Sequence, residues 1–494
     1  MQDTLQSILL HSYNPDPGLR AQAEAALNSF LQAPGAFLTV IHLMRRQDVH
    51  RDLRMAAGIF AKNKTRDLIA EDSTTKKPFI SAEEREQVKA EIIDALLPES
   101  DASLRAIIVE IIRIFSEHDY PDNWPNLIPI FLNNIQSQNI AYMYNSLYAL
   151  RKIIKRFEFK SIGPDREPLN NLISIIFPYL QVLISQLVEN NSIEAALVLK
   201  ICFKIFHSST CYALPKVQGI DVNLWFNILA KILDKKLPEA SEGIEPFNQP
   251  ISIEDRKNWA WWKLKKWTAR IISMFIQRYG NPKYTGEENR PFATFFRDNT
   301  AKVLLGPVMN TLAVKAEGAF ITDDVFRLSL QYVSNAIELS PTYRLIKPHM
   351  DFILFRVIFP SLCLTVEDIK LFEDDPIEFI RKINDPSEEW LDPRIAAINL
   401  LQSLGRYRLK DTLPLFLPFR DNLLVEYNSS PVEARDYRKK DGVLVAIATL
   451  FKESLFLFIY LFIYFLFIYL LYLFIMYPMW FIFSIFFFRF YPPT

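Results

Sequence analysis

Amphipathic helical stretches recur in pairs along almost the whole chain, at a period of about 40 residues, and few folds accommodate that pattern. Each stretch carries apolar side chains three and four residues apart, so it has a stripe to bury and needs a neighbour against which to bury it. The stretch 51–66 is representative. Leu53, Ala56, Ala57, Phe60 and Ala61 form an apolar, mostly small stripe, and Arg51, Arg54, Lys62 and Lys64 lie off it. One face is therefore expected to pack and another to present basic charge.

Taken in order, Asn14-Pro15-Asp16-Pro17 starts a predicted helix over 18–31, and Pro34 separates it from one over 37–46. After 51–66 and a polar loop at 72–78, Ser81-Ala82-Glu83-Glu84 reads as a capping box opening a helix over 84–97. Asp101 starts the next, with Leu104, Ile107, Ile108, Ile111, Ile112 and Phe115 at helical spacing. The rigid linker DYPDNWP (119–125) leads to helices over 127–135 and 141–157. The pattern continues over 168–187, 193–206 and 222–233, crosses an acidic loop at 239–245, and enters a long Trp-rich helix at 255–279. Further helices are predicted over 291–315, 322–339, 345–363, 377–383, 393–409 and 413–426. No strand pattern competes. The expected fold is all-α, an α-solenoid of HEAT-type helix pairs. A compact α-bundle is the alternative that periodicity alone leaves open.

Composition narrows the function classes. A chain of 494 residues exceeds one ordinary compact domain, so it is several domains or one extended array. Only 12 glycines argue against an architecture built on tight turns. Lys and Arg total 56, as do Asp and Glu, so no overall field draws nucleic acid or anionic membrane. Three cysteines suit a reducing compartment, and residues 1–10 lack the basic start of a signal peptide.

Candidate chemistry is sparse. Cys202, His207 and Cys211 are close in sequence, but they are only three ligands and Cys202 shares an apolar stripe with Leu199 and Phe206. They read as core residues, with no metal and no cofactor. Neither a phosphate-binding glycine loop nor a nucleophile elbow is present, so no enzyme is expected. In the helix over 256–275, Leu264, Trp267, Ile271, Met274 and Phe275 make a core stripe beside a basic stripe of Lys263, Lys266 and Arg270. Stacking on bases requires exposed rings, so this reads as structural tryptophan with a solvated basic edge and no direct nucleic-acid contact. Acids far outnumber bases over 367–392, densest at Glu373, Asp374 and Asp375. That segment is either a solvated loop or a docking surface for a basic partner.

The tail is different in kind. From Leu455 to Phe488 there is no charged residue, and Phe-Ile-Tyr-Leu recurs as in Phe458-Ile459-Tyr460-Leu461. Repeats of the tetranucleotide TTTA encode that tetrapeptide in every frame. The tail is therefore expected to be translated non-coding repeat, such as a retained intron. A tail anchor in a membrane is the other reading of so long an apolar run.

The motif Leu53-Arg54-x-Ala56-Ala57-x-Ile59-x-x-Lys62-Asn63 resembles the amino-terminal motif of the importin-β (karyopherin-β) superfamily, and DYPDNWP resembles the linker of its third repeat. The stretches WWKLKKWTARII, RYG, IKPHMDFILFRVIFPSLC, EDDPIEFIRK and KKDGVL resemble the importin seven/eight branch in particular. The resemblance implies a nuclear transport receptor that shuttles between nucleus and cytoplasm, binds Ran-GTP, carries basic protein cargo and passes nuclear pores on Phe-Gly nucleoporins. It assigns Ran contact to Arg54, Lys62 and Asn63, and an acidic Ran or cargo surface to Glu373, Asp374 and Asp375. Residues 1–100 are then Ran-binding repeats, 101–454 further repeats of the same solenoid, and 455–494 the apolar tail. Members of that branch are about twice as long, which makes the chain an amino-terminal half. A HEAT scaffold without Ran dependence and a tail-anchored membrane protein remain as alternatives.

Overall fold

The computed structural model describes residues 1–12, 14–69, 80–160, 163–215, 221–239, 248–384 and 392–451. The loop expected at 72–78, most of the acidic loop at 239–245, and the 455–494 tail lie outside the described residues. Among those described the structure is all-α, with no strand.

The chain divides into two compact units, Met1–Ile271 and Ile272–Thr494. In the first, the helices are α1 (Gln2–His11), α2 (Pro17–Phe30), α3 (Ala36–Arg45), α4 (Arg51–Ile69), α5 (Ala82–Leu96), α6 (Ala102–Asp119), α7 (Leu127–Ile135), α8 (Ile140–Lys155), α9 (Glu167–Leu187), α10 (Ile193–Thr210), α11 (Val222–Asp234) and α12 (Ile253–Asn258). Helix α13 (Ala260–Tyr279) spans the division. The second unit holds α14 (Arg290–Phe295), α15 (Ala301–Ala316), α16 (Asp323–Glu338), α17 (Ser340–Ile346), α18 (Phe359–Leu362), α19 (Val366–Asp374), α20 (Pro376–Asn384), α21 (Pro393–Tyr407), α22 (Leu409–Ser429) and α23 (437–451).

Packing follows chain order. Helix α3 pairs with α4, α5 with α6, α7 with α8 and α9 with α10, while α4 lies on α6, α6 on α8 and α8 on α10. In the second unit α15 packs on α16, α16 on α21 and α21 on α22. Each pair thus buries its stripe against the next, as the sequence pattern requires. Gly58 shows how close the approach is: a Cβ there would sit 3.1 Å from Ile107 Cγ2 and 3.2 Å from Met44 Sδ. Trp225 fills the α9–α11 core, stacked on Phe206 at 4.5 Å and tilted against Phe177 at 5.6 Å. Among the described residues one segment, Pro164–Leu187, is long and apolar enough to cross a membrane by length and composition, and its Leu169, Ile173, Ile176, Phe177 and Leu180 are buried in this core.

A repeated device closes helix ends. The last carbonyls of a helix lack intrahelical donors, and here buried or half-buried side chains from a neighbouring helix or turn supply them. Asn145 Nδ2 donates to Leu96 O and Leu97 O after α5 at 2.9 and 3.0 Å. Arg166 donates to Ser209 O and Ala213 O after α10 at 2.9 and 3.2 Å. Lys265 Nζ reaches Leu233 O and Lys235 O after α11, both at 2.6 Å. Arg408 donates to Ile337 O and Glu338 O at the end of α16 at 2.9 and 3.1 Å.

Several expectations need correcting. The long helix at 255–279 is two, because Trp259 takes an extended conformation (φ −62, ψ 144) between α12 and α13. The helix expected at 291–315 contains a π-helical stretch, Phe296–Thr300, and that expected at 345–363 is a short helix, a 3₁₀ turn, the π-helical Phe352–Ile358 and a last turn. The described part of the acidic segment is a helical hairpin, α19–α20, and not a loop.

Candidate interaction surfaces

Helix α4 is phased about one residue away from the expected stripe. Arg54, Ala57, Gly58, Ala61, Thr65 and Leu68 are buried, whereas Leu53 and Phe60 are only half-buried and Ile59 is exposed. Arg54 therefore points inward. Its Nε donates to Met44 O at 2.9 Å, closing the end of α3, and its Nη2 pairs with the carboxylate of Glu99. Glu99 in turn accepts from the Asp101 backbone N at 2.8 Å. Arg51 Nε donates to Asp101 Oδ2 at 2.6 Å. That bond, with the Leu104 and Ser103 amides that Asp101 caps, holds its carboxyl down at about 2. Two of the five basic residues on α4 thus tie it to the start of α6. Lys62 is half-buried and Asn63 exposed, and both stay available at the surface.

The capping box at Ser81 is half formed. Ser81 Oγ accepts from Glu84 N at 3.1 Å, but the Glu84 carboxylate turns away and accepts from Gly35 N (3.1 Å) and Leu38 N (3.2 Å). It caps the start of α3, where Gly35 adopts φ +74 and offers no side chain. The linker DYPDNWP is rigid because Asp119 is clamped by Arg85 (3.0 and 2.5 Å) and by Lys89 (2.9 Å). Lys89 also donates to Asn123 O at 2.8 Å, and buried Trp124 lies edge-on to Phe115.

In the acidic hairpin, Glu373 and Asp374 are exposed. Asp375 links the helices, and its Oδ1 accepts from Ile377 N (3.1 Å) and Glu378 N (3.0 Å), so part of its capacity caps α20. Asp368 pairs with Lys382 at 3.0 Å across the hairpin. Phe372, Ile377 and Ile380 are exposed beside these acids. Asp385, Glu388 and Glu389 of the same segment lie outside the described residues.

His207 and Cys211 do meet, but with Glu158 in place of Cys202. Glu158 Oε1 accepts from Cys211 Sγ at 3.5 Å and lies 3.6 Å from His207 Nδ1. Three donors are one short of a closed tetrahedral site, and their contacts are those of a hydrogen-bonded cluster. Cys202 is fully buried, and burial pushes its thiol up to about 12. On α13 it is Lys265, not Trp267, that lies on the buried face; Trp267 is half-exposed.

Glu99 and Lys265 escape the sequence reading, which assigns Glu84 to the cap of its own helix when it caps α3. A signal existed for Arg54 and its partner: Arg54, Ala57, Gly58, Ala61, Thr65 and Leu68 are themselves at helical spacing, and the small residues mark the close-packed side. A charge on such a stripe requires an opposite charge nearby, and Glu99 follows α5 directly.

Comparison with known proteins gives these surfaces a family. The Importin-beta N-terminal domain profile matches residues 23–97, and the Cse1 profile matches 166–453. An importin beta-like SAD2 homolog of Arabidopsis thaliana is 32% identical over 446 residues, covering 89% of this chain and 42% of its own length. Importin-8 of Homo sapiens is 30% identical over 452 residues, again 89% of this chain and 42% of its own length. The chain thus spans less than half the length of these relatives. The exportin Cse1 in its cargo-free, cytoplasmic state superposes with a TM-score of 0.66 at 18% identity, covering 91% of this chain and 46% of that one. That likeness concerns the fold, a solenoid of HEAT-type helix pairs. The chain belongs to the importin-β (karyopherin-β) superfamily, with that family's amino-terminal domain at its start.

Proposed function

We propose that the chain is the amino-terminal part of a nuclear transport receptor, without catalytic activity, that binds Ran-GTP and basic protein cargo and shuttles between nucleus and cytoplasm. The observation that carries this reading is the match of residues 23–97 to the Importin-beta N-terminal domain, which contains all of α4. Within α4, Lys62 and Asn63 are the surface groups that would touch Ran. Arg54, neutralised by Glu99, would act beneath them by fixing the helix. Glu373 and Asp374 supply exposed carboxylates for Ran or a basic cargo, with Asp375 shaping the turn that presents them. A groove of about 560 Å³ between α7 and α9, lined by Ile135, Met143, Pro178 and Val182, suits a Phe-Gly repeat of a nucleoporin. Both importins and exportins are among the related proteins, so the reading assigns no direction of transport.

If Ran-GTP and cargo oppose each other on one solenoid, each lowers the other's affinity by the same factor. The test is a titration of the chain with a fluorescent lysine-rich peptide, with and without Ran-GTP, and the reverse titration. Matching factors above unity support the reading. Two ligands that bind without affecting each other contradict it.

A further inference from the structure

The first unit carries a cluster of cations that nothing in the preceding reading uses. Arg151 on α8, Lys200 on α10, and Lys263 and Arg270 on α13 gather their charge around Lys204 of α10, beside the half-exposed ring of Trp267. Lys204 Nζ lies 5.0 Å from the centroid of that ring and the Arg270 guanidinium 4.9 Å. His207 meets the ring edge-on at 5.4 Å. Among the described residues, no carboxylate pairs with Lys200, Lys204, Lys263 or Arg270, and Arg151 Nε is buried without a hydrogen-bond partner. Glu158, whose charge reaches Arg151, is engaged by His207 and Cys211.

Such an arrangement is uphill for an isolated chain. Burial, then the neighbouring cations, pull Lys204 down to about 8; burial and Lys263 do the same to Lys200. Like charges collected without counter-charges cost stability, and the cost is recovered when an anion arrives. The cations run across three consecutive repeats, a geometry suited to a chain crossing the helices. The Trp267 ring already carries two cations, so a base stacking there competes with them, whereas a carboxylate pairs with them directly.

We propose that this α8–α10–α13 face binds a carboxylate-rich segment of a partner protein. Its charge is opposite to that of the hairpin at Glu373 and Asp374, so it selects a different ligand from the basic cargo above, and it stands independently of the Ran reading.

The experiment is fluorescence anisotropy of the full chain with labelled deca-glutamate, in parallel with a ten-nucleotide oligouridylate. Saturable, salt-sensitive binding of the peptide is expected, weakened at least tenfold by Lys204→Glu/Arg270→Glu and by Lys200→Glu/Lys263→Glu, and unchanged by Lys283→Glu, a lysine that is not a member of the cluster. The milder Lys200→Gln/Lys204→Gln pair guards against unfolding: it is expected to weaken the peptide while raising the melting temperature, whereas a purely structural role would lower it. The proposal is overturned if the wild-type chain does not bind the peptide, if the reversals leave binding intact, or if the oligonucleotide binds more tightly and is released by the same variants.

Discussion

Arg54 and Glu99 form an ion pair in which both side chains are withdrawn from solvent, 8% and 1% exposed. Removing one member of such a pair strands the other in a low-dielectric site, at a cost of about 3–5 kcal/mol. Arg54→Ala is therefore expected to lower stability by about that much, read as a shift in denaturant midpoint. Lys62→Ala, on the same helix but at the surface, is expected to stay within about 0.5 kcal/mol of the parent. Equal losses from the two would contradict the assignment of Arg54 to the interior.

Asp119 gives a second test of the same physics. It compensates both Arg85 and Lys89, and Lys89 is itself only 2% exposed. Asp119→Ala leaves two cations facing each other and is expected to cost about 3–5 kcal/mol. Glu86→Ala, which removes the other, exposed carboxylate near Lys89, is expected to cost about 1 kcal/mol or less. Urea unfolding of both variants checks the contrast.

Glu84 caps a helix to which it does not belong. Glu84→Gln removes the carboxylate charge from the Gly35 and Leu38 amides, and a lost helix cap costs about 0.5–2 kcal/mol. Amide hydrogen exchange locates the effect: faster exchange is expected at the start of α3, with little change at the start of α5.

Lys265 makes stability depend on pH in an alkaline window. Burial lowers its ammonium to about 7, far below the value near 10.5 of an exposed lysine. Between those values the unfolded chain binds the proton more strongly than the folded one, so this group makes stability rise with pH. The gain is complete above the unfolded value and lost as pH falls through the folded one. One proton contributes at most about 1.4 kcal/mol per pH unit. The melting temperature of Lys265→Met, which lacks the group, is expected to rise less between pH 7 and 10 than that of the parent.

Lys200 and Lys204 are held near 8 while keeping some exposure. At pH 8 about half of such an amine is neutral, against well under about 1% for an ordinary lysine. Both are expected to react first in pulse acetylation read by mass spectrometry, ahead of exposed lysines such as Lys257. Labelling at the average rate would contradict the crowding of positive charge on α10.

The all-α, paired-helix organisation was legible because periodicity of 3.6 residues survives any local error in phase. What failed was phase and partnership. On α4 the large residues Leu53 and Phe60 drew the apolar stripe toward themselves, while the packed side is the one with Ala57, Gly58 and Ala61, where helices approach most closely. The same error turned Arg54 outward and, on α13, put half-exposed Trp267 in the core stripe while leaving buried Lys265 unnoticed. A buried charge is recognised only with its partner, and Glu99, Asp119 and the carbonyls after α11 are brought into place by the fold. The break at Trp259 carries neither Gly nor Pro to announce it.

The measurement that tests the central claim most directly is binding of Ran loaded with GTP or GDP to this chain and to its Lys62→Glu variant, each checked for helicity. Clear preference for the GTP form, reduced at least tenfold by Lys62→Glu with the melting temperature unchanged, is the expected result. Equal affinity for the two nucleotide states, or a preference untouched by Lys62→Glu, would contradict the account of α4 as the Ran-contacting helix.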